Sequence, residues 1–209
     1  MNKQFLLTIT LLMSCISANS QIHKLNLGFD LSYGTHYYNQ PISNPFMGSL
    51  SLSYGYDFCQ YAGVAIGATG GGFMQYAEFG NAEFKQRYGL HEGVLFAPFI
   101  ASKLYYDIIY NEKLRRSHYL FLESKFLFAH TRLNKSSTVL QTENVFKKHI
   151  TYEIKLGYEY PINDNCNMYF CLGYNSFDFS VINPSEIKYK NSTPLQLGLG
   201  LCYLIGRKH

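Results

Sequence analysis

Two stretches of the chain carry charged residues at the spacing expected for one face of a β-strand. Within ITYEIKLGYEY, residues 150–160, apolar or aromatic residues alternate without a break with polar and charged ones. A strand places two such sets on opposite faces. Residues 117–131 alternate in the same way and are predicted to form the neighbouring strand. We therefore predict an ion-pair network with a structural role, formed by Glu123, Lys125, Glu153, Lys155 and Glu159.

Catalytic chemistry has less support in the sequence. The glycine-rich residues 67–72 are not followed by Gly-Lys-Ser or Gly-Lys-Thr, so they indicate glycines that relieve crowding in a strand rather than a phosphate-binding loop. His36 or His130 near a serine could support acyl transfer, but no GxSxG motif accompanies them. We predict no catalytic residue, no cofactor and no metal site.

The cysteines do not form a metal-binding pattern. Beyond residue 20 the chain has Cys59, Cys166, Cys171 and Cys202, with no CxxC motif, which argues against zinc. We expect Cys171 and Cys202 to lie on adjacent strands and to face the same side. A disulfide between them is one alternative, and the favoured one is two thiols packed as small apolar side chains.

The composition is unusual for a soluble domain. Charged residues make up 15% of the 209 residues, against about 25% in soluble domains. Aromatic residues reach 17%, with 19 Tyr, 16 Phe and no Trp. The formal net charge of +4 is spread over separate places instead of forming a basic stripe, which excludes a nucleic-acid partner.

The first twenty residues have the three regions of a signal peptide. Lys3 precedes the mainly apolar run FLLTITLLM, and Ala18 and Ser20 place small residues before a cleavage site at Gln21. Residues 1–20 are therefore predicted to be a signal peptide and residues 21–209 one domain. An alternative takes residues 12–15 as a lipoprotein box, with lipid attached to Cys15.

Eight segments of the chain alternate with a period of two, and no helical period separates them. This pattern predicts an all-β fold, an eight-stranded antiparallel up-and-down barrel whose closure removes exposed strand edges. Both faces of the fifth segment are rather apolar, which leaves its phase open. The predicted segments are residues 24–38, 47–58, 62–77, 87–104, 117–131, 150–160, 166–180 and 193–205.

Two irregularities are expected in the fourth segment. Pro98 cannot donate a hydrogen bond to a neighbouring strand, so a bulge or local break is predicted there. Glu92 has the parity of the apolar face, and a bulge at Gly89 or Gly93 would turn it to the other side.

The composition of the two faces indicates which one contacts lipid. The polar face consists mostly of small residues, which suit the crowded interior of an eight-stranded barrel. Large apolar residues then point outwards, so that the strands are predicted to cross a membrane. Tyrosines near strand ends, including Tyr54, Tyr56, Tyr105, Tyr106 and Tyr203, are predicted to form an aromatic girdle. A soluble lipocalin-like carrier, with the apolar face inside, is the alternative.

The last strand has a pattern known from one class of membrane protein. Gln196-x-Gly198-x-x-Leu201-x-Tyr203 resembles the signal by which the barrel-assembly machinery recognises its clients, and FAPFI, residues 96–100, resembles a strand common in PorT-like proteins. Over residues 22–205 the chain resembles small PorT-like and OmpX/OmpA-like outer-membrane β-barrels. The resemblance implies location in the cell outer membrane, contact with its lipid and insertion by the barrel-assembly machinery. It also implies envelope or secretion proteins as partners.

The expected function is non-enzymatic. Loops at about residues 39–46, 78–86, 132–147 and 181–191 are expected to contact ligands or partner proteins in secretion or envelope assembly. A wide diffusion pore is excluded because side chains fill the lumen of an eight-stranded barrel. The alternative from another class is a lipid A-modifying enzyme, an acyl hydrolase or acyltransferase.

Overall fold

The computed structural model describes six parts of the chain: residues 22–33, 46–79, 87–112, 116–134, 146–177 and 195–205. The predicted signal peptide, Cys15 and His36 lie outside these residues. Parts of the predicted loops do too. The described residues of the predicted loops belong to strands: the third strand runs to Phe79, the fifth runs to Asn134, and the sixth begins at Phe146.

Eight strands form a closed barrel, which confirms the predicted fold. Each strand pairs antiparallel with the next, and the last pairs with the first. No helix in the described part of the chain is long and apolar enough to cross a bilayer. The strands are β1 (Ile22–Tyr33), β2 (Phe46–Cys59), β3 (Ala62–Phe79), β4 (Arg87–Asn111), β5 (Arg116–Asn134), β6 (Phe146–Asn163), β7 (Cys166–Asn175) and β8 (Leu195–Ile205).

The two ends of the barrel differ in their connections. At one end, here called the turn end, Gln60–Tyr61 joins β2 to β3 and Asp164–Asn165 joins β6 to β7. Ile22 and Ile205 also lie at this end. The opposite end, here called the loop end, is where the strands lead into residues 34–45, 80–86, 135–145 and 178–194. β6 continues to Asn163, three residues beyond the predicted segment of residues 150–160.

The apolar face of each strand lies on the outside of the barrel. In β8, Leu197 and Leu199 are exposed, whereas Gln196 and Cys202 are fully buried in the lumen. The same alternation settles the phase of β5, where the large apolar residues at even positions from 120 to 128 are exposed and Phe121 and Leu127 are buried. A lipocalin-like arrangement, with the apolar face lining the lumen, is therefore not the one that this barrel has.

One of the two expected irregularities in β4 is present. Pro98 pairs with Ala68 of β3, but the ladder to β5 skips Ala97 and Pro98 without a change of register. This is the local break expected from a residue without an N–H group. The bulge at Gly89 or Gly93 is wrong, because the register between β3 and β4 is continuous along the whole length of β3.

An apolar core fills part of the lumen towards the loop end. Met47, Phe73 and Leu95 belong to it, and Phe177, just beyond β7, packs on it with its ring 5.8 Å from that of Phe73. The Phe177 N–H donates a 2.8 Å hydrogen bond to Asn175 Oδ1, which holds the residue over the core. Small polar residues therefore line only part of the lumen. The alternation pattern did not predict the apolar core in the other part.

Inward aromatic rings lie against glycines of the neighbouring strand. A Cβ atom built on Gly157 would overlap the Phe121 ring, and one built on Gly67 would lie 2.7 Å from Cζ of Phe99. Each of these residues is the direct cross-strand partner of its glycine. The Phe73–Gly93 and Tyr169–Gly200 pairs repeat the arrangement. The strand glycines therefore make room for large rings inside a narrow barrel.

Replacing one of these glycines should destabilise the barrel. We expect Gly157→Ala to lower the free energy of unfolding by about 1–3 kcal/mol, because the methyl group overlaps the Phe121 ring and the backbone of Phe170. Gly70→Ala is the matched control, since Gly70 is exposed and its added Cβ would lie 4.0 Å from the nearest atom, the Leu95 carbonyl oxygen. Urea unfolding of the refolded protein measures both. Equal effects of the two changes would contradict this role of Gly157.

Candidate functional site

A cluster of charged side chains fills the turn half of the lumen and is here called the turn-side cluster. Lys24 Nζ lies 2.5 Å from Asp57 Oδ2 and 3.8 Å from Glu159 Oε1. Lys103 Nζ lies 2.9 Å from Glu159 Oε2. Lys24 and Asp57 belong to the neighbouring strands β1 and β2. The contacts of Glu159 on β6 with Lys24 on β1 and Lys103 on β4 instead cross the lumen.

Neutral donors complete the hydrogen bonding of this cluster. Lys24 Nζ donates to Tyr105 Oη at 3.1 Å, and that hydroxyl donates to Asp57 Oδ1 at 3.3 Å. Asn167 Nδ2 donates to Glu159 Oε1 at 2.5 Å, and Arg116 donates to Asn167 Oδ1. The fully buried Glu159 carboxylate thus has partners from three other strands, which offset its loss of hydration.

Aromatic faces surround the Lys103 ammonium group. Its Nζ atom lies 3.8 Å from the ring centre of Phe121 and 5.2 Å from those of Tyr105 and Tyr169. A desolvated cation over a ring gains electrostatic stabilisation from the negative face of the ring. Tyr105 therefore lies inside the barrel, and its assignment to an outer aromatic girdle is wrong.

A second cluster, here called the middle cluster, lies closer to the loop end. Lys155 Nζ lies 2.8 Å from Asp30 Oδ2 and 3.1 Å from Glu153 Oε2. Lys125 Nζ lies 3.2 Å from Glu123 Oε1 and 3.9 Å from Glu153 Oε2. Two side-chain amides donate to Glu153 Oε1, at 3.2 Å from Asn175 and 3.3 Å from Gln196.

The structure divides the five charged residues expected to form one network. Four of them lie in the middle cluster, whereas Glu159 belongs to the turn-side cluster. Among the five predicted residues, the closest ion pairs join residues of the same strand, Lys125 with Glu123 and Lys155 with Glu153. The contact between neighbouring strands, Lys125 with Glu153, is longer. Sequence reasoning missed five members. The parity on the polar faces was a usable signal for four of them, Lys24, Asp30, Asp57 and Lys103. Arg116, at the start of β5, has the parity of the exposed Leu120 but is buried, where it donates to Asn167.

The charges inside the barrel balance. Among the described side chains that face the lumen, five are cations and five are carboxylates. A neutral, paired interior is the arrangement that permits charges to be buried at acceptable cost. The cations are Lys24, Lys103, Arg116, Lys125 and Lys155, and the carboxylates are Asp30, Asp57, Glu123, Glu153 and Glu159.

The residues of the predicted assembly signal lie on both faces of β8. Gln196 and Gly198 face the lumen, where Gln196 donates to Glu153, and Leu201 and Tyr203 are exposed on the outer surface. Two residues of the predicted signal therefore pack inside the barrel, and the other two lie on its outer surface. Its recognition during assembly stays a prediction.

The candidate cysteines and His130 do not form a reactive site. Cys171 pairs with Gly198 and Cys202 with Asn167, so the two cysteines are not facing neighbours, and both are free thiols. His130 is exposed on the outer face of β5. Within the described residues no group of three His, Cys, Asp or Glu side chains could hold a metal ion.

Comparisons with known proteins find similar structures but no similar sequences. No family model matches the chain. No curated protein matches it either. Neisserial surface protein A has 12% identity and a TM-score of 0.55, over 87% of this chain and 96% of that one. The outer membrane protein OprG from Pseudomonas aeruginosa has 11% identity and a TM-score of 0.50, over 91% and 98%. This chain has the fold of a small outer-membrane β-barrel.

Removing the carboxylate at the centre of the turn-side cluster should strongly destabilise the barrel. Glu159→Gln leaves the buried Lys103 without its carboxylate partner, and we expect a loss of about 3–5 kcal/mol in the free energy of unfolding. Glu123→Gln is the matched control, because that side chain is partly exposed and Lys125 keeps Glu153 within 3.9 Å. Urea unfolding of both variants provides the measurement.

A second change tests the reason for the loss. Adding Lys103→Met to Glu159→Gln removes the unpaired ammonium group, so the double variant should recover part of the stability. A double variant no more stable than Glu159→Gln would contradict the ion-pair explanation and favour a packing defect at residue 159.

Proposed function

We propose that this chain is an integral outer-membrane β-barrel protein without enzymatic activity, which acts through its loop end as a binding or accessory protein of the envelope or of secretion. The observation that carries the proposal is an apolar outer surface around a closed, filled barrel. The named role in the envelope follows from the resemblance to PorT-like proteins.

The apolar outer surface supports insertion into a bilayer. Large apolar side chains are exposed on all eight strands, among them Leu52 at 61%, Ile66 at 63% and Ile150 at 72%. A continuous apolar surface of this kind is a poor match for water and a good match for lipid tails. Outer-membrane barrels leave no unpaired strand edge in the bilayer because the sheet closes on itself, and this barrel is closed.

Exposed tyrosines near the turn end support the same placement. Tyr54, Tyr106, Tyr110 and Tyr203 are exposed there, and Tyr54 Oη lies 2.5 Å from His23 Nδ1. Tyrosine rings favour the boundary between lipid tails and water, since one end is apolar and the other forms hydrogen bonds. We therefore place the turn end at the periplasmic boundary and the loop end outside the cell.

The filled lumen argues against a channel function. Ion pairs that cross the barrel, together with the apolar core under Phe177, leave the described part of the lumen occupied by side chains. This supports a protein that does not conduct solutes. We therefore propose the rim and the loops as the surfaces that contact a partner.

A gel assay tests the proposed membrane location. We expect the protein to occur in the outer-membrane fraction and to migrate differently before and after boiling, because a closed barrel has no edge from which detergent can unravel it. A periplasmic protein without the heat-dependent shift would contradict the proposal.

A deletion strain provides the test of the enzyme alternative: a changed lipid A acyl pattern in its mass spectrum would overturn the non-enzymatic role.

A charge scan tests which face contacts lipid. Leu199→Arg, near the middle of β8, should reduce the free energy of unfolding in lipid vesicles by about 2–4 kcal/mol, whereas Ile205→Arg at the end of β8 should cost only about 0–1 kcal/mol. The difference reflects the depth of each residue in the bilayer. Equal costs at the two positions would argue that this face lies in water.

A further inference from the structure

One strand extends beyond its neighbour at the turn end of the barrel. β3 begins at Ala62, which pairs with Leu104, and β4 continues from there to Asn111. A continuation of this length reaches about 20 Å. Every residue from Tyr106 to Tyr110 is exposed, whereas exposed and buried residues alternate earlier in β4. Both faces of Tyr106–Tyr110, here called the free edge, therefore lie beyond the mouth of the barrel.

The free edge presents backbone hydrogen-bonding groups to an open side. The Tyr105 N–H donates a 2.8 Å hydrogen bond to the Tyr61 carbonyl oxygen on the side of β3. Because backbone groups alternate in direction along a strand, the N–H and C=O of Asp107 point to that same side, past the turn at Gln60–Tyr61. None of the described residues pairs with Asp107 there. An unpaired edge of this kind is a template for a strand from another chain.

The opposite side of the free edge is held by β5. The ladder between β4 and β5 continues to the Asn111–Arg116 pair. Arg116 is buried and donates to the Asn163 carbonyl oxygen and to Asn167 Oδ1, which fixes this hairpin to the end of the barrel. A strand that is already held in its extended conformation loses little freedom when it binds a partner. The free edge is therefore preorganised for binding.

The side chains of the free edge are aromatic or aliphatic apart from one acid. Tyr106 is 70% exposed and Ile109 is 58% exposed, and Asp107 between them is exposed as well. Lys and Pro, which protect many natural edges, do not occur in residues 105–111. A shift of register inserts Ile108 as a bulge, which limits regular pairing to a short strand. The free edge therefore suits a short extended segment with apolar side chains and a cation opposite Asp107.

Charge and symmetry argue against a second copy of this chain as the partner. Copies in one membrane are related by an axis along the membrane normal, so their free edges would run in the same direction and bring the same residues together. Asp107 would then lie opposite its counterpart, and like charges directly opposite each other destabilise a sheet. Glu112, which is also exposed, adds to the negative charge. A different polypeptide with a basic residue avoids this repulsion.

We propose that the free edge of β4 binds an extended, basic segment of a periplasmic protein, which adds a strand to the sheet beside the turn at Gln60–Tyr61. This inference rests on the proposed function, since it requires the turn end to lie on the periplasmic side of the membrane. Main-chain hydrogen bonds to Asp107 supply affinity, and its carboxylate selects a segment that carries a cation.

A peptide of defined sequence tests the proposal. The probe is a short, fluorescently labelled peptide of alternating Val and Thr with Lys at its centre, and fluorescence anisotropy measures its binding to the full-length protein in mild detergent. We expect this Lys peptide to bind, and a Glu peptide, with Glu in place of the central Lys, to bind more weakly. The Lys peptide with every backbone amide methylated should not bind, because it lacks the donors that strand pairing requires.

Two variants separate backbone pairing from charge. Asp107→Pro removes the N–H group that points to the open side and keeps the pairing with β5, so we expect binding of the Lys peptide to weaken about tenfold. Asp107→Asn keeps the backbone and removes the charge, and should weaken binding of the Lys peptide about two- to fivefold without weakening that of the Glu peptide. Asp164→Asn removes the same charge at another turn and is the matched control, which should have no effect.

The outcomes separate this proposal from the one on which it rests. Absence of the heat-dependent gel shift in the unmodified protein would overturn both proposals. With the shift present, no binding of the Lys peptide, or equal binding to the unmodified protein and to Asp107→Pro, would overturn strand pairing while leaving the barrel in the membrane. A protein that is dimeric in detergent and becomes monomeric with Asp107→Pro would overturn it in favour of a second copy.

Discussion

Ten charged side chains, among those that the structure describes, share the lumen of a narrow barrel, and their mutual neutralisation is the constraint on which the rest of the structure depends. An isolated charge in that space would cost several kcal/mol, so each one must meet an opposite charge or a strong hydrogen-bond partner. Glu159 meets this requirement with Lys103, Lys24 and Asn167, which come from three other strands. The same contacts connect strands on opposite sides of the barrel and close its interior.

The packing of the rest of the lumen follows from the limited space inside the barrel. Eight strands enclose a lumen that side chains just fill, so every large inward ring needs a small residue beside it. Phe121 over Gly157 and Phe99 over Gly67 meet this need across one strand pair each. Towards the loop end the packing becomes apolar, and Phe177 covers it. The packing inside the lumen thus stabilises the closed barrel, and the large apolar side chains on the outer surface are available to contact lipid.

The placement of function follows from this division. Among the described residues, paired charges and rings fill the lumen, and the thiols and carboxylates inside it take part in packing or ion pairing. The proposed binding role is therefore assigned to the outer surface and the rim.

The sequence by itself determined the fold class, because strand alternation is a local property. The run of residues 150–160 and the alternation in β8 predicted both the strands and their outward faces, and the missing N–H of Pro98 predicted the break beside β5. Even the inward parity of Asp30 and Asp57 was readable. The partners were not, because register between neighbours says nothing about contacts across the lumen. Only closure of the barrel brought Lys155 to Asp30 and Lys103 to Glu159. The inward position of Tyr105 was readable from the sequence, because it has the parity of the buried Phe99 and Ala101 in β4.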